Sequence, residues 1–499
     1  MTDSLAALRS RFNAQDRELL DQLQSALSQL ARLVLNGPQR ITPAEHLSRI
    51  KSLDEEAEKF QAEISRRSAE FRVQSQPVTL AAIQAAIPAE AALVEFFVYH
   101  PHNAKSTKRE DEFGAPRYVA YILREQGVPQ WVELGEAKAI DEAIAAWRRA
   151  LRNSERRDAP RLARAVDRLV MQPLRARLGA TRRVLLSPDG ALNLIPFAAL
   201  VDERSRYLVE RYEFSYLTSG RDLLRLQVKQ PGRQPALIVA NPNYGEASSV
   251  RQAADEPLKP KPDSKTSATD IAGLYLRALR GAEDEARALK KMMPTATMLL
   301  EDQATEAAVK QARGPELLHV ATHGFFLPDL ALPPANTRLQ GLDGDVAPIN
   351  LLTENPLLRS GLALAGFNLH RSGPNQEDDG VLTALEATAL DLWGTKLVVL
   401  SACDTGVGEV KNGEGVYGLR RALVLAGSES QVMSLWPVRD DDTLELMTAY
   451  YRALQQGQGR SAALRQVQLR MLKRQERQHP FYWASFIQSG EWANLEGRR

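Results

Sequence analysis

Apolar positions in the first seventy residues recur three and four apart. Leu20, Leu23, Leu27, Leu30 and Val34 form one such series, the stripe of a helix with a single buried face. Asn36-Gly37-Pro38 ends it, because Gly suits the left-handed position after a helix and Pro cannot continue one. Thr42-Pro43-Ala44-Glu45 announces the next helix, with a capping Thr, Pro at the first helical position and Glu placed to cap reciprocally. Ile50, Leu53, Ala57, Phe60, Ile64 and Phe71 carry its stripe. Residues 1–76 therefore predict a helical hairpin, whose apolar faces must meet each other or a further domain.

From Pro77 the period shortens. Residues 92–99, 117–123 and 129–134 are short, β-branched and aromatic, as strands are. Helical stretches at 137–152 and 159–178 precede a strand at 183–187, the Pro188-Asp189-Gly190 turn and a run through 214–217. Segment 77–228 reads as an α/β or α+β unit. A second alternation fills 229–499. Strands at 236–240, 297–300, 316–322, 396–401 and 430–435 interleave with helices at 282–292, 305–312, 415–425, 442–454 and 462–474. Near-continuous apolar strands between helices predict a parallel sheet covered on both faces. Residues 246–270, rich in Pro, Lys, Ser and Asp, read as a mobile loop open to nicking, and their lysines and Arg251 make it a candidate self-cleavage site.

Charge narrows the function. The 499 residues hold 64 Lys plus Arg against 62 Asp plus Glu, a net charge of +2. That balance argues against a chain built to coat nucleic acid or an acidic membrane. Residues 148–183 are rich in arginine, either a docking face for an acidic partner or a solvated helix surface. No run of about 18 apolar residues appears, and MTDSLAALRSRF lacks the apolar core of a signal peptide. A cytoplasmic protein is expected. The single cysteine, Cys403, excludes an internal disulfide framework and any Cys-rich zinc site.

Ligands of parallel α/β sheets bind beyond the carboxyl ends of the strands. Two strands here run out into reactive residues: one into His323-Gly324, the other into Ala402-Cys403-Asp404. If these strands are neighbours, a thiol and an imidazole meet, as cysteine nucleophilic catalysis requires. His323 would draw the thiol toward thiolate, and the N–H groups of Gly324 and Cys403 would form an oxyanion hole. The plainer alternative is a buried cysteine and a structural histidine. His319 and His323 are spaced H-x-x-x-H, but on a strand pattern and without the Glu of a helical zinc motif.

HVATHG (319–324), LSACDTGVG (400–408), GEGVYGLRRALVLAG (413–427), SLWPVRDDDT (434–443) and HPFYWASFIQSGE (479–491) resemble the CHAT domain family, as do LSPDGALNLIPFAAL (186–200) and YEFSYLTSGRDLL (212–224). This family is caspase-like, similar to separase, and usually follows tetratricopeptide repeats. The resemblance implies a caspase–haemoglobinase-like α/β sandwich preceded by a degenerate protease-like half at 77–228. It implies Cys403 as nucleophile, His323 as base, and Gly324 and Cys403 as oxyanion donors. It also implies an endopeptidase, free of metal and cofactor, making restricted cuts in a protein substrate, as in relatives triggered by partners in bacterial defence. The hairpin would then seat a regulatory protein or repeat-array sensor. The rival is a scaffold that kept the fold without turnover.

In such folds the pocket for the residue before the scissile bond lies beside the nucleophile strand. Its candidates here are Ser401, Trp436, Asp440 and Asp441, whose carboxylates would favour Arg or Lys. Alternatively these acids begin the next helix, with Asp442 capping it.

Overall fold

The computed structural model describes residues 14–36, 42–72, 78–104, 112–245, 275–326, 356–358, 360–369, 378–401, 403–404, 414–436 and 439–498. The predicted loop at 246–270 lies outside them.

Two helices, α1 (Ala14–Asn36) and α2 (Pro43–Arg72), form the hairpin. The Thr42 N–H donates to Glu45 Oε2 at 3.0 Å and the Glu45 N–H to Thr42 Oγ1 at 3.2 Å, so the reciprocal cap reads directly from the sequence. Leu23, Leu27, Leu30 and Val34 are buried with Ile50 and Ala57, and they share a core with Leu358, Leu385 and Ala389. The hairpin thus docks on the later part of the chain. The side chains of Leu20, Ile64 and Phe71 lie outside the described set.

The middle segment contributes β1 (Ala91–Tyr99), β2 (Arg117–Leu123), β3 (Gln130–Glu136), α3 (Ala137–Leu151), α4 (Ala159–Val170), β4 (Arg183–Ser187) and β5 (Glu213–Tyr216). The helix expected over 159–178 breaks at Gln172–Leu174, a tight turn around Pro173, because Pro removes a helical N–H and clashes with the preceding turn. Many arginines of this region are paired internally. Arg175 is buried against Asp167, at 2.6 Å, and Arg164 meets the same carboxylate at 2.8 Å.

The last segment supplies β6 (Leu237–Pro242), α5 (Arg280–Met292), β7 (Thr297–Glu301), α6 (Glu306–Lys310), β8 (Leu317–Ala321), β9 (His323–Phe326), β10 (Ser360–Ala363), β11 (Val381–Thr383) and α7 (Ala384–Ala387). It continues with β12 (Leu397–Leu400), β13 (Cys403–Asp404), α8 (Glu414–Leu425), β14 (Ser430–Ser434), α9 (Asp440–Gln455), α10 (Arg460–Leu472) and β15 (Phe486–Gly490).

These strands build a mixed α/β architecture around one eleven-stranded sheet, in the order β3-β2-β1-β4-β5-β15-β14-β12-β8-β6-β7. The pairs β14–β12, β12–β8, β8–β6 and β6–β7 are parallel, and every residue of β6, β8 and β12 is buried, as a sheet covered on both faces demands. β15 joins the two parts: it runs antiparallel to β14 and parallel to β5. It has no apolar alternation to announce it, because Gln488 and Ser489 sit in its buried centre. Their donors are used there: Gln488 Nε2 donates to the carbonyls of Ser489 and Glu491, and Ser489 Oγ to that of Tyr216. A second tie is Arg420 of α8, fully buried, whose Nη2 donates to Asn193 Oδ1 at 2.6 Å.

A smaller sheet, ordered β11-β10-β9-β13, sits at the carboxyl ends of β8 and β12. Phe325, Ala363 and Val381 of this sheet pack on Tyr244, Leu276 and Phe367.

The hairpin meets this body across a charged junction. Lys310 donates to Ser28 Oγ of α1 at 2.8 Å and pairs with Glu386 at 2.9 Å and with Glu306. Asp379 donates its N–H to Glu306 Oε2 at 3.1 Å. One lysine thus faces three carboxylates. Burial and the neighbouring Glu386 push Asp379 up to about 6, and burial pushes Glu306 well above the carboxylate range. A carboxyl raised in the folded state binds more protons there than when unfolded. Its stabilising contribution is complete below its unfolded value near 3.8 and is lost as pH rises through about 6. Asp379→Asn keeps an oxygen for the Val381 N–H that Asp379 Oδ1 now accepts and removes the like charge. It is expected to raise unfolding stability at pH 7.5 by on the order of 1 kcal/mol, with no gain at pH 4. Denaturant unfolding at both pH values checks this.

Candidate active site

Two strands of the large sheet leave it together and enter the small one. β8 ends at Ala321 and β9 begins at His323; β12 ends at Leu400 and β13 begins at Cys403. In the large sheet Leu400 faces Val320, and the Ser401 N–H donates to the Val320 carbonyl at 2.9 Å. In the small sheet Cys403 faces His323 and Asp404 faces Gly324. The offset between partners is the same before and after the bend, 80 residues. Cys403 and His323 are therefore one inter-strand spacing apart, about 4.8 Å between backbones.

Thr322 sits at the bend, fully buried. Its hydroxyl donates to the Ala363 carbonyl of β10 and lies 2.9 Å from the Tyr244 hydroxyl. With its one proton so used, Thr322 receives the Tyr244 proton, and Tyr244 in turn accepts the His323 N–H at 3.4 Å. Burial pushes the Tyr244 phenol up to about 12, so it stays neutral and able to donate. Its ring also packs against the imidazole, centroids 5.4 Å apart.

The imidazole itself is oriented by a backbone carbonyl. His323 Nε2 lies 2.9 Å from the Arg277 oxygen. A carbonyl only accepts, so Nε2 carries the proton and Nδ1 presents a lone pair. Nδ1 is buried and has no hydrogen-bond partner among the described residues. The site thus holds a desolvated, unpaired imidazole nitrogen on the residue that pairs in register with Cys403. Burial lowers the His323 pKa below its usual value, opposed by the Arg277 carbonyl and by the charge of Asp440. The imidazole is thus neutral near pH 7. Arg277 was invisible in the sequence, because its role is played by its peptide oxygen and not by its side chain.

The four expected pocket residues separate. Ser401 is buried, its hydroxyl donating to Glu285 Oε2 of α5 at 2.9 Å. Glu285 Oε1 stands 3.1 Å from His319 Nε2, and His319 Nδ1 lies 3.1 Å from the Tyr451 hydroxyl. His319 is thus a buried network member behind the site. Trp436 is buried too, with Nε1 donating to the Phe481 carbonyl at 3.2 Å. Asp440 is exposed and acts on the imidazole: its Oδ2 accepts the Gly281 N–H at 3.2 Å, and its charge bears on His323. Gly281 has to be small, since a Cβ there would stand 2.2 Å from that of Asp440. Asp441 turns instead to a groove with Glu445, Arg452, Arg470 and Arg474. Asp440, Asp441 and Asp442 all lie in the first turn of α9, but the residue at its cap is Arg439. Asp442, expected to cap, is buried and paired with Arg477 at 3.0 Å.

Among the described residues no group of three His, Cys, Asp or Glu side chains is placed to hold a metal ion, and no helix is long and apolar enough to cross a membrane.

A model of the CHAT domain matches residues 160–491. Tetratricopeptide repeat protein 28 of Homo sapiens is 28% identical over 326 residues, 64% of this chain and 12% of that protein. Its Mus musculus counterpart is 25% identical over 343 residues, with the same coverage. The chain thus spans about an eighth of the length of these curated relatives. Among solved structures, the Saccharomyces cerevisiae separase–securin complex aligns over 82% of this chain and 30% of that chain, with TM-score 0.39 and 8% identity. The Arg-specific cysteine proteinase gingipain R aligns over 71% of this chain and 74% of its own, with TM-score 0.36 and 11% identity.

The electrostatics of the imidazole can be tested alone. An NMR titration of His323 in Cys403→Ala is expected to give a midpoint below the usual 6.5. Asp440→Asn in the same background removes a favourable charge, so the midpoint falls further. A rise on that substitution contradicts the placement of Asp440.

Proposed function

The chain belongs to the CHAT domain family, and on that premise we propose that it is a cysteine endopeptidase with Cys403 as nucleophile and His323 as base. The observation that carries this reading is the cross-strand pairing of Cys403 with His323, opposite an imidazole whose unpartnered Nδ1 is free to take a proton. His323 Nδ1 removes the thiol proton as Sγ attacks the scissile carbonyl carbon. The resulting oxyanion is held by the N–H groups of Gly324 and Cys403. His323 then protonates the leaving amine, and the thioester is hydrolysed by a water that gives its proton to the same nitrogen. The Arg277 carbonyl steadies the imidazolium formed in both steps.

The division into a hairpin at 1–76, a non-catalytic half at 77–228 and a catalytic half at 229–499 belongs to this proposal. So does a protein substrate, cut at few sites. The hairpin, joined to the catalytic half through Lys310, is the surface on which a regulatory partner would act, and low basal activity is expected of the isolated chain. Of the pocket residues, Asp440 is the one whose exposed carboxylate suits an Arg or Lys side chain before the scissile bond, with Ser401 and Trp436 as buried walls and Asp441 outside it.

A peptidyl electrophile should label Cys403 and nothing in Cys403→Ala. In His323→Ala the labelling rate should fall about 100-fold or more; an unchanged rate removes the base and favours a scaffold without turnover. A peptide library resolves the pocket. Selection of Arg or Lys that is lost in Asp440→Asn supports it, whereas selection of Leu or Met means that the aspartates only stabilise the N-terminus of α9.

A further inference from the structure

The carbonyl that orients His323 belongs to a short stretch, residues 275–279, which carries neither strand nor helix of its own. Something must hold it, because a drifting acceptor would leave the imidazole free to rotate and to exchange tautomers. One side chain does this. Asn368, in the tight turn Phe367–Leu369, places its amide between the exit of β6 and the segment that returns toward α5. Nδ2 donates to the Gly245 carbonyl at 2.8 Å and to the Leu276 carbonyl at 2.9 Å, while Oδ1 accepts the Leu276 N–H at 3.0 Å. Both polar groups of Leu276 are thereby fixed, one peptide before the Arg277 oxygen. The Asn368 backbone is itself anchored, its N–H donating to the Tyr244 carbonyl at 2.8 Å and the Gly366 N–H to that of Asn243 at 2.9 Å. Beneath it Phe367, Tyr244 and Leu276 share one apolar cluster with Phe325 of β9, the strand that bears His323.

We propose that Asn368 is the positioning residue of the base: it clamps Leu276, so that the Arg277 carbonyl holds the Nε2–H tautomer of His323 and Nδ1 stays available to Cys403. It touches neither substrate nor reacting atoms. The proposal rests on the reading of His323 as base. An amide is required because the site asks for two donated bonds and one accepted, a combination that Asp, Ser and Ala cannot supply.

The test is Asn368→Asp, which keeps the shape of the side chain and its acceptor but cannot donate to the two carbonyls, with Asn368→Ala beside it. The rate of Cys403 alkylation by chloroacetamide is read from pH 5 to 9, and the His323 tautomer by ¹⁵N NMR of His-labelled protein. In both variants the rate should fall about tenfold or more, comparable to the loss of one transition-state contact, and the Nε2–H tautomer should give way to a mixture. The rising limb of the pH profile should move upward, because a less well held imidazolium stabilises the thiolate less. Wild-type rate and tautomer in Asn368→Asp overturn the proposal, as does a loss that only tracks the unfolded fraction while folded protein keeps its tautomer. If Cys403 of the unsubstituted chain reacts no faster than a free thiol, the peptidase reading fails, and the tautomer readout still decides the role of Asn368.

Discussion

The site depends on one register. β8 and β12 are paired in parallel inside the large sheet, and both bend into the small sheet without gaining or losing a residue. A strand slipped by one position would present every side chain to the opposite face. Here the buried residues on both faces of β8 and β12 make such a slip costly, so the apolar core fixes which residue stands opposite Cys403. Thr322 secures the bend, its hydroxyl satisfied on one side by Tyr244 and on the other by Ala363. The chemistry of the edge is thus set by packing in the middle of the sheet.

Around that pairing the imidazole is governed by two opposed influences. Burial favours its neutral form, which can take a proton. The Arg277 carbonyl and the Asp440 carboxylate favour the charged form. Neither influence comes from a conventional third side chain on the same strand. The carbonyl and the carboxylate arrive on segments adjoining helix N-termini, 275–279 before α5 and Asp440 in the first turn of α9, and the Gly281–Asp440 hydrogen bond ties those two segments together.

The remainder of the molecule buttresses this edge from two directions. The middle segment is joined through β15 and through the buried guanidinium of Arg420, which reaches Asn193 from α8. The hairpin approaches from the other side. It rests on Leu385 of α7 and on Ala389 and accepts a hydrogen bond from Lys310, whose carboxylate partners also anchor the strand β11 at the far edge of the small sheet from β13. A carboxylate cluster that outnumbers its lysine is a poised junction, more stable when a proton or a cationic group is supplied.

Much of this was written locally. The hairpin, its Thr42–Glu45 cap, the apolar strands of the large sheet and the placement of Cys403 and His323 at strand ends follow from periodicity and from residue types that act through their own side chains. The small sheet did not follow, since strands of two to four residues carry too few positions for a period to show. β15 escaped because its centre is polar, Gln488 bonding to nearby backbone and Ser489 to Tyr216 far away in the chain. The pocket residues were grouped by their distance in sequence from the cysteine, and the fold sent Ser401 and Trp436 inward and Asp441 to a groove with Glu445 and Arg474. Arg277 and Asn368 act through backbone carbonyls and an amide clamp, whose meaning depends on which peptide groups lie within 3 Å. Side-chain chemistry can be read along a chain, whereas hydrogen bonds to distant backbone exist only once the chain has folded.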